Sequence, residues 1–343
     1  MSTGAPETPN DPPTTATAFL TRTTFFPRLR AFPPAPTAKA LPTLRMRLFW
    51  RFMMSVAAFF AIVSLSYAIM RVAPGKPYEG EKAMDAETLV ELKRKYDFTY
   101  LQYVSGIFLR GDLRTSYSHR DLPVRVILAE ALPVSMELGG YALLASIFAG
   151  LAFGILAAFF RGRWPEAPIL AVALIGIALP SFVFGTLLQL VFSLKLRAFP
   201  VAGWSGIHDK ILPVITFSLA YTAYITRIAR GSFLDNLSKD YIRTARAKGL
   251  GPMRIFFKHL MRNSILPVVN YLAPASASIL TGTLVIEKIF NIPGLGRWFV
   301  ESVFQRDYPV ALGVIVVYSV FLLALNFISD VLQSLIDPRI ALQ

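Results

Sequence analysis

Few side chains in this sequence are placed to do covalent or metal chemistry. There is no cysteine, which removes disulfides and thiolate metal sites and leaves the redox compartment unmarked. Imidazole is confined to His119, His208 and His259, all expected outside the apolar runs described below, so no metal relay through a membrane is expected. No stretch reads Gly-x-x-x-x-Gly-Lys-Ser/Thr, so a phosphate-cradling loop for ATP is missing. No paired carboxylates and no nucleophile–base arrangement fall together in one site. The expected complement of catalytic residues, metals and bound cofactors is therefore none.

The most informative stretch is built for contact instead. Residues 238–252 read Ser-Lys-Asp-Tyr-Ile-Arg-Thr-Ala-Arg-Ala-Lys-Gly-Leu-Gly-Pro. Asp240 can cap a helix start, and Gly249 can take the left-handed conformation that ends one. The spacing predicts a helix of about two turns over 241–248, too short to be stable alone. It would carry Tyr241, Arg243, Thr244, Arg246 and Lys248, with Ala245 and Ala247 permitting a partner's close approach. Pro252 sits at the favoured first position of a second helix. That helix is expected over 253–262, with Ile255, Phe256 and Leu260 on one face and Arg254, Lys258 and Arg262 on another. A short rigid helix of this kind suits a groove on a partner. A basic loop lying on anionic lipid heads would carry the same charge. The sharp stops at Gly-Leu-Gly-Pro favour docking.

The elements that must hold this stretch are membrane helices. The chain has 343 residues, 54% of them hydrophobic and 16% charged, too apolar for an ordinary soluble domain. The apolar residues gather into six runs, 52–70, 138–160, 167–194, 211–229, 265–290 and 309–329. Each has about the 20 residues needed to cross a hydrocarbon core of about 30 Å. A backbone in lipid must satisfy its own hydrogen bonds, so the expected fold is an all-α integral membrane protein of six transmembrane helices.

The net charge of +14 would fit nucleic acid if it were clustered, but it alternates between loops. Residues 1–51, 161–166, 227–264 and the C-terminal tail together hold +12, while 71–137, 195–210 and 287–308 together hold +2. By the positive-inside rule both termini are expected in the cytoplasm, with 71–137 as a long extracytoplasmic loop and 230–264 as a cytoplasmic one. The excess charge is then topology, and no nucleic-acid partner is expected.

Nine of the 24 prolines lie in the first 45 residues, which are also rich in Thr and Ala, so this tail is expected to be disordered and cytoplasmic. Met46 followed by Arg-Leu-Phe-Trp-Arg would open a membrane protein naturally, which leaves open whether 1–45 is translated. In the outer loop, 86–96 is charged and helix-prone, and 99–109 suits a helix lying at the membrane surface. Pro180, Pro213, Pro267 and Pro274 fall in the spans, and 273–278 is a run of small residues. Such residues permit kinks and close helix approach, as a bundle around a movable path needs, and ordinary close packing as well. Gln189, Asn270 and Glu287 are polar residues within or at the ends of spans and are the pathway candidates. For Glu287, a solvated carboxylate at the outer interface is the favoured reading.

Thr244-Ala245-Arg246-Ala247-Lys248-Gly249-Leu250, followed by Asn263-Ser264-Ile265-Leu266-Pro267-Val268, closely resembles the inner-membrane permeases of ABC importers. More narrowly it is similar to the first permease subunit of oligopeptide and dipeptide systems. Further motifs in order carry the same resemblance from residue 46 to the C-terminus. They are Ala73-Pro74-Gly75, Gly111-Asp112-Leu113 with Ser116, Leu132-Pro133, Ile292-Pro293-Gly294-Leu295-Gly296, Arg306-Asp307-Tyr308-Pro309 and Asp337-Pro338-Arg339. The chain departs from the general importer loop at Arg243, where that loop has Glu, and in the longer spacing from Gly249 to Pro267. Lys76 and Arg114 stand where the family often has Asp and Gly, which weakens any inference about substrate.

The resemblance implies a membrane subunit of the bacterial cytoplasmic (inner) membrane that cannot hydrolyse ATP itself. Its implied partners are a second homologous permease, two cytoplasmic ATPase subunits that bind ATP and Mg2+, an extracytoplasmic peptide-binding protein and membrane lipid. Tyr241 to Gly249 would couple to the ATPases, and Pro293, Gly294, Gly296, Arg306 and Asp307 would face the binding protein. Other membrane classes fit less well. A channel would need pore-facing polar rings, an ion-coupled transporter charges in mid-span with an internal repeat, and an intramembrane protease a catalytic dyad. None of these features is found.

Overall fold

The structure is a computed structural model that describes residues 44–72, 98–119 and 122–336. The expectations for the N-terminal tail, for Ala73-Pro74-Gly75 and Lys76, for a helix over 86–96 and for the Asp337-Pro338-Arg339 motif lie outside those residues. Among the described residues there is no strand, only an isolated antiparallel bridge between Thr115 and Pro123. Among the described residues five helices are long and apolar enough to cross a membrane, and the count is six if the bent pair 166–178 and 181–195 is one broken span.

The first helix, α1 (Leu44–Val72), packs along the last. Arg51 and Asp330 form an ion pair between the two. After α1, Thr99 caps the short α2 (Tyr100–Ser105) through a capping box with Gln102, and a wider π turn extends it to Arg110. Tyr103 and Phe98 bury their rings against Val63 and Tyr67 of α1, which holds the segment on the rim of the bundle. Burial pushes the Tyr103 phenol pKa up.

The second span is longer than its apolar run. α3 (Val124–Phe159) has 36 residues, about 54 Å at 1.5 Å per residue, and begins 14 residues ahead of the expected 138. Arg125, Glu130 and Glu137 hide this part from a hydropathy reading. Its period does not: Val124, Ile127, Leu128, Ala131, Ser135 and Leu138 are all buried, at helical spacing.

The third span is bent, not continuous over 167–194. α4 (Glu166–Ala178) and α5 (Ser181–Leu188, extended by π turns to Lys195) meet at 114°. Pro180 has no N–H to give and forces Leu179 out of the helical region, to φ −90° and ψ 130°.

α6 (Ile207–Leu237) is the axis of the subunit, packed on α3, α4 and α5. It meets α3 closely. A Cβ on Gly154 would lie 2.5 Å from the Ala229 Cβ, and one on Gly150 would lie 2.6 Å from the Ile225 Cβ. His208 falls in the first turn of α6 and so lies on a span helix, contrary to expectation.

Beyond α6 come α7 (Asp240–Ala247) and α8, a helical stretch from Pro252 to Ser264 with π turns over Ile255–Met261. α9 (Leu266–Leu280) breaks at Gly282, whose φ of +88° a side chain would resist, and resumes as α10 (Leu284–Ile289). α11 (Leu295–Phe304) and α12 (Tyr308–Ile336) are the last of the described elements.

Candidate functional site

The first candidate site is α7 and the turn that ends it. Ile242 and Ala245 face inward, one helical turn apart, and join a cluster with Phe233, Ile255, Leu260 and Val268. Arg243, Thr244, Arg246, Ala247, Lys248 and Gly249 are exposed, and Tyr241 is half-buried with its hydroxyl donating to Asn236 Oδ1 at 2.8 Å. Two points differ from expectation. Lys239, not Asp240, is the N-cap, and Asp240 enters the first turn, where its charge favours the helix dipole and pairs with Arg243 at 3.7 Å. Ala245 packs on its own chain, so only Ala247 of the two alanines is open to a partner.

The end of α7 is tightly defined. The Leu250 N–H donates to Ala245 O (3.2 Å) and the Gly249 N–H to Arg246 O (2.9 Å). This is the six-to-one and five-to-two pair of a Schellman cap, with Gly249 in the left-handed position at φ +74°. The two turns of helix therefore project as a unit whose outward face is basic. Beside it lies an open, largely apolar groove of about 660 Å³, lined by Phe159, Phe233, Leu237, Arg246, Leu250 and Met253 among others. Elsewhere on α6, Arg230 pairs with Glu166, whose second oxygen accepts the Gly162 N–H at 2.6 Å.

The second candidate site is built on Glu287, and here the solvated reading fails. Glu287 is fully buried. Its carboxylate accepts the Gly296 N–H at 2.7 Å and the Thr283 N–H at 3.4 Å, while Ser135 Oγ of α3 accepts the Leu295 N–H at 2.8 Å. Leu295 and Gly296 are the first residues of α11, so the carboxylate supplies from α10 the cap that Gly294 has no side chain to give. The glycines of Ile292-Pro293-Gly294-Leu295-Gly296 are small for this reason. A Cβ on Gly294 would come within 2.3 Å of the Glu287 carboxylate, and one on Gly296 within 2.6 Å of the Leu284 Cα. Glu287 is a structural knot buried inside the subunit. A sequence signal existed: an acid nine residues before a glycine-spaced turn that opens a helix. Nearby, partial burial pushes the Glu301 carboxyl pKa up, but hydrogen bonds from Lys288 and Arg297 outweigh it and hold it below the usual range.

Asp307 is a second buried carboxylate, 1% exposed. It accepts the Ser116 hydroxyl and the N–H groups of Tyr117 (3.1 Å) and Ser118 (3.2 Å), so it folds the segment 116–118 onto the start of α12. Of the five residues expected to face a binding protein, Gly294, Gly296 and Asp307 are buried and cannot offer side chains, while Pro293 and Arg306 are exposed. Asp307→Ala would orphan two N–H groups, a local cost of about 1–3 kcal/mol for each that is buried. The expected result is faster amide exchange across 115–119 in hydrogen–deuterium exchange mass spectrometry, with the exchange of α6 unchanged.

Gln189 also does structural work. Its Nε2 donates to Val201 O (2.8 Å) and Ile289 O (3.2 Å), clamping the 196–206 loop to the end of α10. Asn270 is half-buried on α9, beside Tyr271. Sequence reasoning missed Glu137 and Lys210, which pair at 2.5 Å between α3 and α6 with Trp204 Nε1 donating to the same carboxylate at 2.8 Å. Both had been counted as loop charges. Among the described residues, no group of three His, Cys, Asp or Glu side chains could hold a metal ion.

The comparisons with known proteins agree with this architecture. Residues 150–342, which include α7 and the Glu287 knot, match the family described as binding-protein-dependent transport system inner membrane component. The chain is 39% identical over 298 residues to the dipeptide transport system permease protein DppB of Bacillus subtilis, covering 85% of this chain and 96% of that protein. It is 38% identical over 294 residues to the oligopeptide transport system permease protein OppB of Salmonella typhimurium, covering 83% and 96%. Among solved structures, the methionine ABC transporter MetNI in an inward-facing conformation shares the fold, with a TM-score of 0.51 at 14% identity over 62% of this chain and 97% of that one. Apolar helices long enough to span, a projecting capped helix and close relatives over nearly their whole length thus converge: the chain belongs to the binding-protein-dependent transport system inner membrane components, as a multi-pass permease of the bacterial inner membrane.

Proposed function

We propose that this permease forms half of the path by which an ATP-binding cassette importer moves dipeptides and oligopeptides into the cell. The observation that carries the reading is α7, a two-turn helix locked by the Gly249 cap, buried on one side and basic on the other. The names of the two relatives supply the substrate class. The absence of a Walker-type loop from the sequence means that the energy comes from elsewhere. Two cytoplasmic ATPase subunits would bind ATP and Mg2+, dock on Tyr241–Gly249 and, on closing, tilt α6 and α9 between outside-open and inside-open states. A second homologous permease completes the path, and an extracytoplasmic peptide-binding protein delivers substrate near Pro293 and Arg306.

The alternation of charge along the loops supports cytoplasmic termini and a cytoplasmic α7. No residue of this chain is assigned a catalytic, metal or cofactor role. The test is uptake of a labelled dipeptide into proteoliposomes holding the assembled complex. ATP-dependent accumulation that vanishes when the ATPases are left out is expected. Uptake driven by an imposed proton or sodium gradient without ATP would overturn the proposal.

A further inference from the structure

The apolar groove beside α7 is used by neither the Gly249 cap nor the Glu287 knot, and its place in the fold sets its depth. α3 and α6 run parallel, since Gly150 meets Ile225 and Gly154 meets Ala229. The groove lies at their last turns, lined there by Phe159, Phe233 and Leu237, and its other wall is Arg246, Leu250 and Met253 of the α7–α8 segment. Phe159 is the last residue of α3, and 161–164 then reads Arg-Gly-Arg-Trp, with Trp164 84% exposed. An exposed Trp beside arginines at the end of a span marks the headgroup layer of a bilayer. The groove opens at that level.

Phe159 is 72% and Met253 68% exposed, an apolar surface that calls for a cover. The volume of about 660 Å³ holds about 20 groups of about 30 Å³, the share of one water in the liquid, which is the size of one acyl chain. The charge around it has one sign. Arg246 lines it and forms no ion pair with another described residue. Arg161 is exposed two residues beyond Phe159, its Cα within about 8 Å of that residue's. Glu166 adds no free acid, because Arg230 holds it. Asp235 is two residues from both Phe233 and Leu237, about 200° round α6 from the lining face. Lipid tails are as apolar as leucine, so a chain gains little by leaving the bilayer for this groove, and any selection must come from the headgroup.

We infer that this groove is a site for one anionic phospholipid, its acyl chain at the last turns of α3 and α6 and its phosphate at Arg246 and Arg161. Basic pockets between membrane helices hold anionic headgroups in this way. The site goes beyond the importer reading and rests on it only for the leaflet, which is the cytoplasmic one if α7 is cytoplasmic. A lipid seated there fills the space beside the joint between α6 and α7, and so helps set the angle at which α7 projects.

The test uses the full complex in vesicles of equal parts phosphatidylglycerol and phosphatidylcholine with the same acyl chains. p-Benzoylphenylalanine replaces Met253 or, as a reference, Leu65 of α1, which is 62% exposed. After illumination, the lipid in each adduct is identified by mass spectrometry. Adducts at 253 should favour phosphatidylglycerol over those at 65 by about fivefold for each arginine that holds the phosphate. Arg161→Gln and Arg246→Gln should each cut that preference about fivefold, and Arg161→Lys should keep it. The same lipid ratio at 253 and 65, a preference that neither glutamine variant lowers, or adducts at 253 with an ATPase subunit in place of lipid would overturn the site while leaving the importer intact. Absence of ATP-driven uptake by the parent complex would overturn the importer reading, and the lipid ratio at 253 would still decide the site.

Discussion

Gly249→Val should leave the chain inserted, folded and abundant, yet reduce transport to background. The two halves of that result have separate physical causes. A Cβ at position 249 meets nothing within 4 Å, so the substitution creates no clash and no cavity. What it disturbs is the backbone: φ is +74°, a region that β-branched residues avoid at a cost of about 1–3 kcal/mol. That strain falls on an exposed turn, where it can relax by giving up the bonds from Leu250 to Ala245 and from Gly249 to Arg246. The core below α7 keeps Ile242 and Ala245, so global stability changes little. The direction in which the helix projects is lost, and a docking element works only in one orientation. Gly249→Ala should fall between, since alanine reaches the left-handed region more easily. The readouts are membrane abundance by immunoblot and ATP-dependent dipeptide uptake. Normal uptake by the valine variant would refute a coupling role for this turn.

Glu287→Ala is expected to do the opposite, costing folded protein before it costs any particular step of transport. The buried carboxylate is the acceptor for the N–H groups of Gly296 and Thr283. Removing it leaves two donors in a dry site, at about 1–3 kcal/mol each, together with a void where three glycines close on the side chain. A loss of about 2–6 kcal/mol is a large part of a domain's usual margin of about 5–15 kcal/mol. Glu287→Gln preserves the shape and one acceptor oxygen and should lose less. Thermal unfolding in detergent, followed by tryptophan fluorescence, separates the variants. A Glu287→Ala protein as stable as the parent but unable to transport would return this residue to the pathway.

The spans and the short capped helix α7 were legible because their signals are local. Apolar runs of about 20 residues, a capable glycine at 249 and a proline at 252 act through neighbours in sequence. The bend at Leu179–Pro180 was half legible. The proline was visible, but whether a proline kinks a span or breaks it depends on what surrounds it, and Pro133 and Pro274 sit inside continuing helices. The start of α3 was hidden by hydropathy yet present in the period of its buried residues. The contacts of Glu287, Asp307 and Gln189 were not legible in the sequence, for a shared reason. Their partners lie on other elements, at Gly296, at Ser116 and at Val201. A polar residue near a membrane boundary looks the same in sequence whether it meets water or caps a distant turn. Ala245 was misassigned because a small residue on a short helix suits either face. The buried Ile242 at i−3 shows which face is inward.

Affinity purification of the tagged chain from its own membranes in mild detergent, with mass spectrometry of its companions, tests the central claim most directly. P-loop ATPases and a second permease should accompany the parent chain, and Arg246→Glu and Gly249→Val should lose the ATPases while keeping the second permease. Recovery of the chain alone under crosslinking, or ATPases retained by both variants, would contradict the account.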